Sequence, residues 1–423
     1  MELVMTTNHT TPLPQTLPSQ NTTIGTEADL QASIQTKPKA DSSYETSAAT
    51  TRTRFANLDA IRGLALLGIF FLNILMMSNS LMGYAPHSPE IASDIAVGVF
   101  TSIFLEGRFI SLFSMLFGVA LLLQVQKVTQ HNELTPLAAT PIKQRLKWLI
   151  LFGFAHGCLL FPGDILLTYG VCGLLIYRYT QLSVDELYTK AKKFIAIGFV
   201  VFLLMTLIPL DEEWHRGSEL FNQELAIWTG SYVYQLIHQV GLTFLMIFML
   251  PISTLWFCSG LMVLGMALWK QGYFEQGFSQ TQLLKFAAAS LLLSALDCGL
   301  RYSGNATLSQ ASAAIMTISA IPMAAIYLHI IVKLCQNNPL KLQWLQNVGK
   351  LSLSLYILQS IIGVSLLRFI FPEWQSEFNL IDYLLLALGV AAAQLVIANV
   401  YVRVFKQGPL EKLLRLLAKP KLQ

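Results

Sequence analysis

Two side chains in the segment 153–165 are suited to proton transfer. His156 precedes and Asp164 follows a Pro162-Gly163 pair, which is typical of a tight turn between two helices. The turn would bring the imidazole and the carboxylate onto neighbouring helices. Histidine exchanges a proton near neutral pH, and an acidic partner fixes its tautomer and stabilises the imidazolium. We predict a functional pair in which Asp164 orients His156; a helix N-cap at Asp164 and a structural histidine are the alternatives.

A second polar group, Glu106 and Arg108, stands immediately before an apolar run. Arg108 would lie at the outer end of its helix, where an arginine that snorkels and pairs with Glu106 is one interpretation. Stabilising an oxyanion or holding an anionic substrate is the other. Ser111, Ser114 and Gly118 follow at i, i+3 and i+7, which predicts a face of small residues for close helix packing.

A third polar group opens the first apolar run. Asp59 and Arg62 are three residues apart, so they share one helix face and can pair. They predict either a clamp at the start of the helix or a site for an anion or a cofactor phosphate that is open to the cytoplasm. Asn73 lies further along the same run, where an unpaired amide is costly, and should bond to a neighbouring helix.

A milder polar stripe runs along the predicted ninth span. Ser352, Tyr356, Gln359 and Gly363 follow at i, i+4, i+7 and i+11, and therefore share one helix face. Such a face favours helix packing, and it could also line the same cavity as His156.

Composition determines the fold class that must position these groups. The chain is 54% hydrophobic and 12% charged, about half the charged fraction of a soluble domain. Crossing a bilayer takes about 20 apolar helical residues. We therefore predict an all-α polytopic membrane bundle of about ten transmembrane helices, with 92–107 as an interfacial or re-entrant piece and a kink at Pro251. The predicted spans are 60–78, 108–126, 145–161, 164–179, 194–210, 239–269, 284–300, 311–334, 350–370 and 381–403.

Orientation follows from the distribution of positive charge. With the N-terminus inside, the cytoplasmic segments hold 23 of the 28 Lys and Arg residues, whereas the opposite loops hold only Arg216, Arg301 and Arg368. We expect both termini in the cytoplasm, with 1–51 a disordered tail of polar composition. Residues 406–423 should form an amphipathic helix on the inner surface, in contact with membrane lipids.

Other classes of partner find little support in the sequence. The net charge of +4 is small and dispersed, so no nucleic acid is expected. The five cysteines form no CxxC pair and lie in or beside apolar runs, so neither a metal site nor a disulfide is predicted.

Six motifs, in this order, resemble the YeiB-like family of bacterial inner-membrane proteins, a family of unknown function. The resemblance covers nearly all of the chain from residue 52 and implies a helical bundle over 52–405, with the family's C-terminal domain at about 240–405. The motifs are RFANLDAIRGLALLGIFFLNI at 54–74, GRFISLFSMLFG at 107–118, HGCLLFPGDILLTYGVCGL at 156–174, GLMVLGMAL at 260–268, GKLSLSLYILQSIIG at 349–363 and FKQGPLEKLLR at 405–415.

The LDAIRG opening is also similar to that of transmembrane acyltransferases, which pass an acyl group from cytoplasmic acyl-CoA to a saccharide across the membrane. In those enzymes the catalytic histidine lies near the first span, whereas here the notable histidine is His156. The resemblance implies a helical bundle with a histidine-based site near the outer side. Our leading hypothesis is an acyltransferase-like enzyme in which His156 is the general base or carries the acyl group transiently. Asp164 would orient His156, and Arg108 would stabilise an oxyanion or hold an anionic acceptor. The candidates for contacts with acyl-CoA or a cell-envelope saccharide or lipid acceptor are Asp59, Arg62, Asn73, Glu106, Tyr356 and Gln359.

Two other functions stay open at this point. A protonatable His156 and Asp164 within a bundle also suit proton-coupled transport or export of a small molecule. A membrane scaffold or sensor is the third hypothesis. The acceptor, the acyl group and the oligomeric state stay open.

Overall fold

The computed structural model describes residues 42–79, 83–129, 134–208, 214–336, 338 and 340–418, with side chains from Ala56 onward. The chain divides into two units, Met1–Ala49 and Thr50–Gln423, and the side chains discussed below all belong to the second. Every regular element in the described ranges is helical, which confirms the all-α prediction.

The described residues up to Met249 form eight α-helices. They are α1 Ser42–Asn79, α2 Ala92–Phe104, α3 Arg108–Val128, α4 Thr140–Leu159, α5 Ile165–Ile176, α6 Val184–Met205, α7 Glu219–Trp228 and α8 Tyr232–Met249. The second half continues in the same style. Its helices are α9 Thr254–Lys270, α10 Tyr273–Gln276, α11 Gln280–Arg301, α12 Ala306–Gln336, α13 Gln343–Lys350, α14 Ser352–Ser365, α15 Trp374–Glu377, α16 Leu380–Val404 and α17 Pro409–Leu417.

The predicted N-terminal tail is only partly within the described chain. Residues 1–41 lie outside it, whereas 42–51 belong to α1 and are not irregular. Extending an existing helix fixes one residue for each new hydrogen bond, so a polar segment can join an apolar helix at low cost.

Seven helical stretches of the described chain are long and apolar enough to cross a membrane, which supports a membrane protein but not the number ten. They are 56–78, 92–128, 232–252, 280–301, 306–336, 352–370 and 380–404. Three predicted spans, 145–161, 164–179 and 194–210, are not among these seven candidates, for physical reasons. Helix α5 has only 12 residues. Helices α4 and α6 carry clusters of basic residues in their N-terminal halves, Lys143, Arg145 and Lys147 on α4 and Lys190, Lys192 and Lys193 on α6. The stretch 92–107 joins α3 in one apolar candidate, separated from it only by a turn.

The predicted kinked span at 239–269 is two helices. Helix α8 ends at Met249, a 3-10 turn covers Leu250–Ile252, and α9 begins at Thr254. Pro251 lacks the N–H that an α-helix interior requires, which explains the break.

Helix α9 is central to the core, since almost every residue from Phe257 to Trp269 is buried. Its crossing with α3 is close because glycines face backbone. A methyl group on Gly118 would overlap the Met262 carbonyl, and one on Gly265 would overlap that of Met115. Small residues of this kind let membrane helices approach closely, which agrees with the predicted small face of α3.

The outer helices present large apolar side chains to the surroundings. Exposed leucines, valines and phenylalanines lie on α6, α8, α11 and α16, including Leu204, Phe248, Leu292 and Val396. Apolar surfaces of this extent on a helical bundle are typical of contact with lipid.

Candidate functional site

The histidine and aspartate predicted to pair are in direct contact. The Nδ1 atom of His156 lies 2.8 Å from Oδ1 of Asp164, and the two side chains are only 2% and 4% exposed. An ionised carboxylate can only accept, so Nδ1–H of the imidazole donates to Asp164, and in the neutral imidazole Nε2 then carries the lone pair. That Nε2 atom is buried and has no hydrogen-bond partner in the described chain. We call this pair the dyad.

The turn between α4 and α5 creates the dyad. Helix α4 ends at Leu159, and Asp164 is the N-cap of α5, where its Oδ2 accepts from the Leu167 N–H at 2.7 Å. An N-cap carboxylate satisfies a free backbone donor and interacts favourably with the helix dipole. The two interpretations of Asp164 are therefore compatible, because one oxygen caps α5 while the other holds His156.

The glycines around the dyad serve close packing. A methyl group on Gly153 would overlap both the Leu167 nitrogen and Oδ2 of Asp164. One on Gly157 would come within 3.0 Å of Thr243 on α8. These positions let α5 and α8 approach α4, so the space that the glycines provide is occupied by neighbouring helices.

Tyr356 completes the surroundings of the imidazole. Its ring centroid lies 5.2 Å from that of His156, and its hydroxyl oxygen accepts from the Ile165 N–H at 3.2 Å. The polar stripe of α14 thus does reach the dyad, through this tyrosine. Three residues later, Gln359 donates to Gln394 at 2.8 Å and to the Leu66 carbonyl at 3.4 Å, so it ties α14 to α16 and α1.

A polar stripe on α8, which sequence reasoning missed, adjoins the dyad. Gln235, Gln239 and Thr243 recur at i, i+4 and i+8 in an apolar helix, and all three are buried. This spacing was the signal that could have found them. Gln239 donates to the Cys158 carbonyl at 3.1 Å, two residues beyond His156.

Gln239 in turn accepts from Nη1 of Arg368 at 2.9 Å. Arg368 was predicted in an outer loop, and this is wrong. It lies in a π-helical turn, Leu366–Ile370, that continues α14, and it is only 3% exposed. Hydropathy assigns a charge at the end of a span to water, whereas the wider turn here directs the side chain into the bundle.

Asp59 and Arg62 pair as predicted, with 2.7 Å between Oδ1 and Nη1, and each side chain is 25% exposed. Arg145 on α4 lies within electrostatic reach of Arg62 and of Arg415 on α17. Helix α17 is held there because Glu411 accepts from the Leu353 N–H at 2.7 Å, at the start of α14. We call Arg62, Arg145 and Arg415 the basic end of the bundle.

Arg108 lies in a different polar cluster, and it is fully buried instead of snorkelling. Its Nη2 donates to Ser294 at 2.7 Å and to Ser319 at 2.9 Å, which are on α11 and α12. It contacts Glu106 through the backbone carbonyl and not through the carboxylate. The Glu106 carboxylate instead pairs with Arg301 at 2.5 Å. None of the recorded contacts of Arg108 is with the dyad.

Asn73 is half-buried on α1, and no hydrogen bond is recorded for it among the described residues. The predicted hydrogen bond from the Asn73 side chain to a neighbouring helix is therefore not seen, and its contacts assign Asn73 no role in the site.

Comparison with known proteins agrees with the resemblance found in the motifs. Residues 268–421 match the family described as protein of unknown function DUF418. Over 399 residues the chain is 26% identical to the uncharacterised protein YeiB of Escherichia coli K12, covering 86% of this chain and 95% of that protein. It is 24% identical to the uncharacterised YxaH of Bacillus subtilis, covering 86% and 94%. Over 159 residues it is 31% identical to an uncharacterised 39.9 kDa protein of Bacillus acidopullulyticus, covering 37% and 43%.

These matches confirm the resemblance to the YeiB-like family of unknown function. The names of the relatives specify neither an activity nor a substrate, so function must be argued from the geometry of the site.

Proposed function

Starting from a chain of the YeiB-like kind, we propose a membrane-bound acyltransferase that moves an acyl group from acyl-CoA to a saccharide or lipid of the cell envelope. The observation that carries this proposal is the dyad. Asp164 holds Nδ1 of His156 at 2.8 Å, and Nε2 has no hydrogen-bond partner among the residues that the structure describes. A histidine oriented in this way is a general base.

The proposed chemistry is a direct transfer. Nε2 of His156 takes the proton from a hydroxyl or amine of the acceptor while that atom attacks the thioester carbonyl. The carbon–sulfur bond breaks, the thiolate of CoA leaves, and the imidazolium returns the proton to the sulfur. Asp164 stabilises the imidazolium during the step. The ring of Tyr356, with its centroid 5.2 Å from that of His156, packs against the imidazole.

Arg108 takes no part in this step, because its nitrogens already donate to Ser294, Ser319 and two backbone carbonyls. A donor of that kind would have to break existing bonds to reach an oxyanion, whereas catalytic donors are free and preorganised. The oxyanion role is therefore not assigned to Arg108.

The basic end is the proposed site for the donor. CoA carries several phosphate charges, and guanidinium groups bind phosphate with two parallel hydrogen bonds. The contacts of α1 with α14 relate this end to the dyad: Gln359 meets Leu66 and Arg368 meets Met77, so the two helices run parallel. Tyr356 precedes Gln359 by one turn, as Arg62 precedes Leu66. These contacts connect the helix that carries Tyr356 with the helix that carries Arg62.

We propose that the basic end faces the cytoplasm of a bacterial inner membrane, with both termini on that side. The excess of Lys and Arg in the corresponding segments supports this orientation. Acyl-CoA is made in the cytoplasm, so the donor would reach Arg62 from the same side.

A proton-coupled exporter is the second candidate. The burial of both dyad side chains supports it, because an ionisable pair enclosed within a bundle is typical of a proton relay.

One assay separates the two functions. The protein is reconstituted into liposomes with acetyl-CoA outside and cell-envelope extract as acceptor, and free thiol and internal pH are followed together. Transfer predicts thiol release that depends on the acceptor and is lost in His156→Ala. Proton movement without thiol release would favour the exporter and reject the transferase.

A further inference from the structure

We propose that Arg368 forms a binding site for an oxyanion, a phosphate or a carboxylate, distinct from the dyad and from the basic end. The side chain belongs to the π-helical turn Leu366–Ile370, and π-helical turns occur frequently at functional sites.

The contacts of Arg368 leave part of its guanidinium free. Nε donates to the Met77 carbonyl at 2.9 Å, and Nη1 donates to Gln239 at 2.9 Å. The guanidinium carbon lies 4.0 Å from the ring centroid of Trp228. Nη2 is buried and has no hydrogen-bond partner in the described chain.

The charge of Arg368 is also unbalanced. No carboxylate of the described residues lies within 4.0 Å of it, and its contacts are with a carbonyl, an amide and an aromatic face. Glu224, which contacts the same tryptophan, accepts from Nε1 of Trp228 at 2.7 Å and lies 3.8 Å from His238. A buried cation without a counter-ion is strongly unfavourable unless a ligand supplies the charge.

Other enclosed arginines do not share this combination. Arg108 has hydroxyl partners for Nη2, and the carboxylates of Glu106 and Asp297 act on it. Arg301 pairs directly with Glu106 at 2.5 Å. Arg108 and Arg301 have their counter-ions within the chain, so they need no ligand. Among the described residues, Arg368 has neither a partner for Nη2 nor a carboxylate within 4.0 Å.

The chemistry of the free group defines the ligand class. Nη2 of Arg368 carries two N–H donors and shares the positive charge of the guanidinium, so it matches an anionic oxygen acceptor of a phosphate or a carboxylate. Two sources offer this chemistry, a water-soluble anion and the head group of an anionic lipid. Gln239 links Arg368 to the Cys158 carbonyl, so the site adjoins α4 two residues beyond His156. If acyl transfer is the function, this is where an anionic group of the acceptor would bind, but anion binding stands without that function.

The proposal is tested by measuring how the stability of the full chain depends on the anion concentration. Wild type and Arg368→Gln are purified in a neutral detergent, and the thermal unfolding midpoint is followed against inorganic phosphate or acetate at constant ionic strength. We expect a saturable rise in the wild type and an apparent Kd weakened by about tenfold or more in Arg368→Gln, as loss of a charge-assisted hydrogen bond implies. Without anion, Arg368→Gln should be at least as stable as the wild type, because an unbalanced buried charge is removed.

Controls and a lipid arm make the result decisive. Anion binding at the basic end would raise the unfolding midpoint equally in wild type and Arg368→Gln, so it cancels in the comparison. Arg301→Gln, which removes a different, partly buried arginine, should keep the anion response of the wild type. In nanodiscs with and without phosphatidylglycerol, a rise specific to that lipid would identify a head group as the ligand. Equal responses of wild type and Arg368→Gln to every probe would overturn the proposal. If Arg368→Gln does not fold, the absence of any saturable response in the wild type would overturn it as well.

Discussion

Nδ1 of His156 lies 2.8 Å from Oδ1 of Asp164, although eight residues and a helix-to-helix turn separate them. The second oxygen of the same carboxylate accepts from the Leu167 N–H at 2.7 Å and so caps α5. One side chain therefore fixes both the start of a helix and the tautomer of the imidazole. This double role can be separated by substitution.

Asp164→Asn keeps an N-cap, because asparagine caps helices about as well as aspartate. It removes the charge that stabilises the imidazolium, so acyl transfer should fall by about a hundredfold with little change in stability. Asp164→Ala should lose the cap as well, at a cost of about 0.5–2 kcal/mol in the free energy of unfolding. Thiol release and thermal unfolding, measured on both variants, check the separation. Equal destabilisation by Asn and Ala would show that the charge itself is structural.

Gly153→Ala tests the close approach of α4 and α5. The added methyl group would overlap the Leu167 nitrogen and Oδ2 of Asp164, so the variant should lose about 1–3 kcal/mol of stability and displace the dyad. Gly241→Ala is the matched control, because no atom lies within 4 Å of a methyl group built there. On helix propensity that control should gain up to about 1 kcal/mol. A thermal unfolding midpoint of Gly153→Ala equal to that of the wild type would contradict the close packing of α4 against α5.

The basic end should determine affinity for the donor. Arg145→Gln and Arg415→Gln remove exposed charges, so each should weaken binding of CoA without changing stability. The effect should shrink at high salt, since exposed charges are screened. Arg403→Gln, an exposed arginine at the end of α16, is the control and should bind CoA like the wild type. Calorimetric titration with CoA at two salt concentrations checks this, and an equal loss in Arg403→Gln would point to nonspecific attraction.

A polar cluster that joins two loop residues outside the spans, Tyr84 and Arg216, to Asp94 in the first turn of α2 should respond to alkaline pH. The Tyr84 hydroxyl donates to Asp94 and accepts from Nη2 of Arg216 at 3.1 Å. Burial and the hydrogen bond to Asp94 raise the pKa of Tyr84 above its ordinary value of 10.0. The protonated form is favoured in the folded state, so this stabilisation is complete below pH 10.0 and is lost as pH rises through the higher folded pKa.

Tyr84→Phe should therefore be less stable than the wild type below that pH and should lose less stability above it. Thermal unfolding from pH 7 to pH 11 gives the comparison, with Tyr234→Phe, an exposed tyrosine of α8, as control. Parallel curves for wild type and Tyr84→Phe would show that Tyr84 does not titrate in this range as described.

The local part of the site was readable from the sequence. Pro162-Gly163 predicted the turn, and the turn determines which helices carry His156 and Asp164. The contact between Tyr356 and His156 was only an open alternative, because it depends on how α14 is rotated against α4. Such rotations follow from packing of the whole bundle, which a single stripe on one helix does not determine.

The buried position of Arg368 could not be predicted from the sequence. A charge flanked by Leu367 and Phe369 looks like the end of a span, and only the π-helical turn directs it inward. The predicted number of spans is not confirmed, for a related reason. Hydropathy does not show whether an apolar helix as short as α5, with 12 residues, crosses the bilayer alone or is buried among its neighbours.

The most direct test of the account is release of free CoA from acetyl-CoA by reconstituted protein with envelope extract, comparing wild type, His156→Gln and His329→Gln. His329 is the control. Its Nδ1 accepts from the Phe278 N–H at 2.9 Å, and we assign it no role in acyl transfer. The account predicts a rate reduced by about a hundredfold or more in His156→Gln, and a rate like the wild type in His329→Gln. Acceptor-dependent release at the wild-type rate from folded His156→Gln would contradict the dyad as the site of acyl transfer.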